Sequence, residues 1–340
     1  MSPIKVGLLG YGMAGRVFHA PLIMTEPRME LVRIGSRTFA DKKLPEGVTA
    51  GAIDAVIDDP EIDLIVIATP NDSHAPLARR ALAAGKHVVV DKPFALSAEE
   101  AVSVIEAARE ADRLLSVFQN RRWDGGFLTA QMALSKNRLG EVSYAALHFD
   151  RYSPVIKNRW REQAVPGSGV LYDLGPHLLD QILCLFGKPD AITATLAAQR
   201  EGAIVDDFFH ITCGFGARQV VAHASALMPD HGPRIALYGD RATLFQYGFD
   251  GQEGALKEGR APDDPGWGET PGSTVIQVGP DGTETELEPR KGAYEAYYAN
   301  VAAAILDGAP LEVTPDQALT VMQMLDAARL SAETGRRVTL

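Results

Sequence analysis

Three groups of residues have types and spacings that could do chemistry. Gly10, Gly12 and Gly15 fall on the pattern G-x-G-x-x-G directly after the apolar run 4–9. Such glycines permit a tight turn, let backbone approach a pyrophosphate and let the next helix pack close to the strand. The start of that helix would offer free N–H groups and a positive dipole end to phosphate. Lys92 stands between Asp91 and Pro93 after the apolar run 87–90. Pro93 keeps Lys92 extended, and a lysine fixed at a strand tip can stabilise a developing alkoxide. Equally, it could be a surface lysine that ends a strand. Asp173 and His177 are four residues apart, so on a helix they share a face. Histidine is the usual side chain for proton transfer near neutral pH. The alternative is structural: Asp173 caps a helix with Pro176 in its first turn, and His177 is a core histidine.

The elements that must position these groups alternate over the first 120 residues. Strand signals at 4–9, 29–36, 64–69, 87–90 and 114–118 are interleaved with helical runs at 13–24, 73–84 and 98–111. Gly85 closes the second run as a C′ glycine, and Ser97 with Glu100 forms a capping box for the third. Pro21 predicts a kink or end of the first near His19. This alternation is α/β: a doubly wound parallel sheet, a Rossmann-type domain over 1–120, with ligands at the carboxyl ends of its strands.

The tip of the second strand reports on cofactor type. A site for NAD usually carries Asp or Glu about 20 residues past the glycines. Here the sequence reads Ile34-Gly35-Ser36-Arg37-Thr38, without an acid. A hydroxyl and a guanidinium suit a 2′-phosphate. The expectation is NADP(H) in preference to NAD(H), with Ser36, Arg37 and Thr38 around the phosphate.

Residues 121–340 read differently. A helix at 126–136 precedes longer strands at 141–152, 191–198, 206–215, 218–226, 234–239 and 242–247. The pattern is an α+β domain with a large, mostly antiparallel sheet and helices on one face. The other face is expected to pair copies into a homodimer or homotetramer. Residues 250–272 read as a long loop, and helices are expected at 293–308 and 315–333, the latter after a Thr314/Gln317 capping box.

Composition excludes other classes. The 33 basic and 44 acidic residues leave a charge of −11, which argues against nucleic acid as a partner; Arg121-Arg122 and Arg159-Trp160-Arg161 are the local exceptions. Cys184 and Cys213 sit in apolar surroundings, as buried thiols of a reducing compartment do. No leader pattern precedes Ile4 and no apolar run nears 18 residues, so a cytoplasmic protein without membrane contact is expected. No Tyr-x-x-x-Lys, His-Glu-x-x-His, cysteine cluster or Gly-x-Ser-x-Gly occurs, so no metal is expected. His74, His148, His210, His223 and His231 show no ligand spacing and default to structural roles.

In combination, GYGMAG at 10–15, TPNDSH at 69–74, Lys92-Pro93 and Asp-x-Gly-x-His at 173–177 resemble the glucose–fructose oxidoreductase/inositol dehydrogenase/rhizopine-catabolism (Gfo/Idh/MocA) family over essentially the whole chain. The family usually writes Glu-Lys-Pro; Asp91 shortens that acid by one methylene and leaves Lys92 in place. Further matches to the NADP-dependent scyllo-inositol dehydrogenase branch are FHAPL at 18–22, SVFQNRRWD at 116–124, NRWRE at 158–162, GSGVLYDLGPHLLDQ at 167–181 and YGFDGQE at 247–253. The resemblance implies hydride transfer between a polyol carbon and a nicotinamide. Lys92 would hydrogen-bond the reacting oxygen, its peptide bond to Pro93 would be cis, His177 would be the acid/base, and Asp173 would orient substrate hydroxyls and the histidine. Tyr11, Met13 and Ala14, with Thr69, Pro70, Asn71, His74, Asp91 and Pro93, would line the cofactor, and Trp160 and Arg161 would reach it from the second domain. Asn120 would touch both molecules; Arg122 and Tyr152 would touch substrate. Rivals are another sugar substrate, such as an aldose or anhydro-sugar ketone, and a non-catalytic NADP-binding regulator on the same fold.

Overall fold

The computed structural model describes residues 2–37, 39, 43–157 and 159–340. The chain forms two compact units. The first runs through Asn120 and takes back Gln252–Trp267 and Ala293–Leu319; the second comprises Arg121–Gly251, Gly268–Gly292 and Thr320–Leu340. Beyond the division expected at 120/121, two later segments return to the first unit. The cause is visible in the packing. Tyr297 and Tyr298, on the helix Glu295–Asp307, stack edge-on or tilted against Phe118, and Ser116 Oγ donates to Val313 O (2.9 Å).

In the first unit, strands β1 (Ile4–Leu9), β2 (Met29–Gly35), β3 (Thr49–Gly51), β4 (Leu64–Ile67), β5 (His87–Val90) and β6 (Leu115–Val117) form one parallel sheet in the order β3-β2-β1-β4-β5-β6. The order reverses between β1 and β4, where open α/β sheets bind ligands. Buried on both faces, β4 reads Leu64-Ile65-Val66-Ile67 without interruption, as parallel strands do. The helix Ala98–Ala111 begins as its capping box predicts: Ser97 Oγ accepts from Glu100 N–H, and Glu100 Oε2 accepts from Leu96 N–H.

In the second unit, β7 (Val142–His148), β8 (Ala191–Ala197), β9 (Phe208–Phe215), β10 (Arg218–Ser225), β11 (Ile235–Gly239), β12 (Thr243–Tyr247), β13 (Thr274–Val278), β14 (Glu284–Leu287) and β15 (Val338–Thr339) build a nine-stranded sheet in the order β14-β13-β12-β11-β7-β10-β9-β8-β15. Every pair is antiparallel except β7/β10. Register puts Ile211, Ala222, Leu147, Ile235 and Gln246 in one row. The helices Gly125–Ser135 and Gly169–Phe186 pack on that face. On the opposite face Tyr144, Tyr238 and Tyr247 stay exposed. The expected loop 250–272 contains the short helix Gln252–Lys257. Its polar composition hides two anchors: Gln252 Oε1 accepts from Tyr294 N–H, and Trp267 Nε1 donates to Glu295 (both 2.7 Å). Both cysteines are unpaired, and burial pushes each thiol up to about 12.

Candidate active site

The glycine loop divides its labour by position. Gly10 has φ +94°, and a Cβ there would collide with the Ala68 carbonyl oxygen. At Gly15 a Cβ would collide with the Gly10 carbonyl oxygen, so only glycine lets the helix start this close. Gly12 is different: nothing lies within 4 Å of where its Cβ would be. That open side, with N–H groups at the helix start, fits a pyrophosphate. Met13 is exposed beside it, Ala14 is half-buried, and Tyr11 is buried with its hydroxyl donating to Lys43 O (3.3 Å). The helix is interrupted at Gly15–His19 by a π-turn, in which Ala20 N–H donates to Gly15 O. Pro21 explains it, since a proline has no N–H to continue the α ladder.

At the tip of β2, Ser36 is half-buried and Arg37 is exposed; Thr38 lies outside the described residues. At the tip of β4, Thr69 is half-buried, Pro70 is exposed and Asn71 is buried. Ser73 Oγ donates within this turn, to Thr69 Oγ1 (2.7 Å) or to Pro70 O (2.6 Å). His74 departs from expectation. It is completely buried, with Nδ1 2.8 Å from Pro93 O and Nε2 2.9 Å from Thr69 O. It braces the turn after β4 against the Lys92–Pro93 turn, buried and not open to a ligand.

At the tip of β5, Asp91 Oδ1 accepts from Lys92 N–H (2.8 Å), and the Lys92–Pro93 peptide is cis. Asp91 also faces His19 Nε2 at 3.7 Å, ion-pair range. Burial by itself would raise the Asp91 carboxyl; His19, Lys92 and His74 together hold it below its ordinary value. The shortened acid is thus an ionised anchor beneath the lysine. His19 and its partner Tyr298 escaped sequence reasoning, because a histidine on a helix and a tyrosine 279 residues later share no local signal. Asn120, at the end of this unit, is buried.

In the second unit the helix starts at Gly169, with Ser168 at the N-cap position but making no side-chain cap bond. Asp173 is therefore not the cap, and Pro176 is not in the first turn. The cap role belongs to Asp206, whose Oδ2 accepts from Leu171 N–H (2.6 Å) and whose carbonyl accepts from Val170 N–H (2.8 Å). Gly169 has φ +88°, and a Cβ there would strike the Asp206 carboxylate. Burial raises the Asp206 carboxyl despite those bonds. Relieved of capping, Asp173 lies one turn before the buried His177 on the same helix face. It pairs with Arg161 Nε (3.4 Å) and Arg151 Nη1 (3.8 Å), and Arg161 stacks on Trp160 (4.9 Å). Arg151, Arg161 and Asp173 line a cavity whose floor includes Arg200, Glu162 and Asp207.

Two expected substrate contacts fare differently. Arg122 is buried and bidentate to Asp180, at 2.8 and 2.7 Å; its fork is committed to the core and corrected from substrate ligand to structural ion pair. Tyr152 is 60% exposed on an isolated bridge to Leu227. Arg121 pairs with Asp124 and Arg159 with Glu162, so neither local basic run is a bare cationic patch.

Two family profiles match the chain. The Gfo/Idh/MocA NAD-binding Rossmann fold covers residues 4–119, and the oxidoreductase family's C-terminal alpha/beta domain covers 132–340. The chain belongs to this family. As a Gfo/Idh/MocA protein it is an NAD(P)-dependent dehydrogenase. It is 38% identical to scyllo-inositol 2-dehydrogenase (NADP(+)) IolW of Bacillus subtilis, over 100% of this chain and 97% of that one. It is 42% identical to the uncharacterized oxidoreductase YdgJ of Escherichia coli, over 99% and 98%. The structure described for the oxidoreductase YvaA of Bacillus subtilis superposes with a TM-score of 0.95 at 37% identity, covering 100% and 99%. Among the described residues no helix is long and apolar enough to cross a membrane.

Proposed function

We propose that this Gfo/Idh/MocA enzyme transfers hydride between NADP(H) and a secondary alcohol or ketone of a cyclic polyol, scyllo-inositol and its inosose being the first substrates to test. The observation that carries this reading is the placement of Asp173, held by Arg151 and Arg161, one helical turn before the buried His177, while Asp206 serves the helix start. Full-length similarity to a dehydrogenase of that substrate supports the substrate class.

The glycine loop, Thr69, Asn71 and the tips of β2 and β5 would hold the dinucleotide, which when bound supplies or accepts the hydride. The chain's own residues do the rest. Lys92 donates a hydrogen bond to the reacting oxygen and stabilises its negative charge without consuming it. Neutral His177 takes the hydroxyl proton in oxidation and returns it in reduction. Asp173, held by Arg151 and Arg161, accepts hydrogen bonds from neighbouring substrate hydroxyls. Asn120 contributes a further polar contact. Trp160 and Arg161 would be further contacts of the dinucleotide.

Ser36 and Arg37, with no acid between Ile34 and Arg37, favour a 2′-phosphate over a bare ribose. The exposed tyrosines of the large sheet support pairing of two copies through that face, as homodimer or homotetramer. Turnover of the purified chain with NADP+ and NAD+ against a panel of inositols, aldoses and anhydro-sugars tests the assignment. A higher kcat/KM with NADP+ and a cyclic polyol is expected. Turnover of an aldose alone would transfer the site to another sugar, and no turnover of any polyol or sugar would remove the catalytic reading.

A further inference from the structure

Three strands of the large sheet set three histidines side by side. His210 on β9 is registered opposite His223 on β10, and His223 opposite His148 on β7. Asp150, two residues past His148, points to the same side, as a period of two requires. The ring centroids of His148 and His223 are 5.0 Å apart. Asp150 is buried, and its carboxylate lies 2.9 Å from His148 Nδ1 and 3.5 Å from His223 Nε2. Its Oδ1 also accepts from Ser225 N–H (2.9 Å), which fixes its orientation. His223 is buried too, yet neither of its ring nitrogens makes a well-formed hydrogen bond.

A buried imidazole without hydrogen bonds is costly unless something else satisfies it. We propose that His148, Asp150 and His223 bind one divalent cation of the zinc class through His148 Nδ1, an Asp150 oxygen and His223 Nε2. All three ligand atoms lie within 4.8 Å of one another. The two separations involve the two carboxylate oxygens, Oδ2 towards His148 and Oδ1 towards His223, so the carboxylate reaches towards both imidazoles, each at about the 3.3 Å spacing of neighbouring ligands with zinc bonds of about 2.0–2.1 Å. Imidazole with carboxylate is a donor set suited to zinc, cobalt or nickel. His148 is partly exposed and His210 is exposed, leaving a side open to water as the fourth ligand. The pattern was invisible along the chain because its members come from separate strands.

The untagged chain, stripped with chelator, is titrated with cobalt(II) and followed by visible absorption, then by zinc displacement. One equivalent per chain, giving tetrahedral cobalt bands that zinc abolishes, is expected. His223→Gln and Asp150→Asn should each weaken binding by more than about 100-fold, beyond what loss of a residue that only orients a ligand costs. Absence of the bands, or binding unchanged in both variants, overturns the site. Should those variants not fold, anomalous diffraction from zinc-soaked wild-type crystals decides. A peak at about 2.0–2.2 Å from the three atoms supports the site, and none there overturns it.

Discussion

His19 Nδ1 lies 2.7 Å from the hydroxyl oxygen of Tyr298, and both side chains are completely buried. With the ring proton on Nε2, facing Asp91 at 3.7 Å, Nδ1 accepts from the tyrosine. Burial raises the Tyr298 hydroxyl well above its ordinary value, so it stays protonated. Tyr298, His19 and Asp91 thus stand in a row, the last step an ion-pair approach and not a hydrogen bond, and Asp91 accepts from the backbone N–H of Lys92. Tyr298→Phe should cost about 1–3 kcal/mol, the usual loss when a buried polar atom is left without its partner. Urea denaturation checks this; an unchanged midpoint would mean the contact contributes nothing.

Gly12 and Gly15 separate folding from cofactor binding. Gly12→Ala adds a methyl where nothing lies within 4 Å, so stability should stay within about 0.5 kcal/mol of wild type. KM for the dinucleotide should nevertheless rise at least tenfold, because the methyl occupies the approach to the pyrophosphate. Gly15→Ala must push the helix off the Gly10 carbonyl and should lower Tm as well. Thermal melting beside cofactor titration distinguishes them. Equal cofactor affinity in Gly12→Ala and wild type would remove that edge as the phosphate site.

His87 makes the first unit acid-sensitive. Its Nδ1 accepts from Leu114 N–H (3.0 Å), a bond that protonation of Nδ1 abolishes. Burial, then Arg113, lowers its imidazole from the ordinary 6.5. Below 6.5 the unfolded chain takes up this proton while the folded one resists it. The unfolded state then binds more protons, so the stability held above that pH declines as pH falls towards the lower folded value. His87→Gln should flatten the decline that sets in below about pH 6.5. An identical pH slope in the variant would show that other groups carry it.

Local signals in the sequence accounted for much of this architecture. Apolar runs located five of the six parallel strands; β3, three residues with none fully buried, carries no pattern to read. β14, Glu284-Thr285-Glu286-Leu287 with no buried residue, is polar enough to pass for loop, whereas β13, Thr274-Val275-Ile276-Gln277-Val278, carries a strand pattern that is missing from the expected strands. The glycine spacing and Lys92-Pro93 were legible because each demands a particular backbone. Asp173 and Arg122 show where legibility ends. Whether Asp173 caps a helix depended on Asp206, and whether Arg122 meets substrate depended on Asp180, 58 residues away. Long-range partners decide such roles, and spacing along the chain does not encode them.

The central claim is that Lys92 and His177 serve one reacting oxygen. The kcat of Lys92→Ala, His177→Ala and the double variant, measured with NADP+ and the best polyol, tests it most directly. Each single change should cost about 10²-fold or more, and the double little beyond the worse single, as for residues acting as a unit. Near-wild-type turnover in either single variant, or losses that multiply in full, would contradict it.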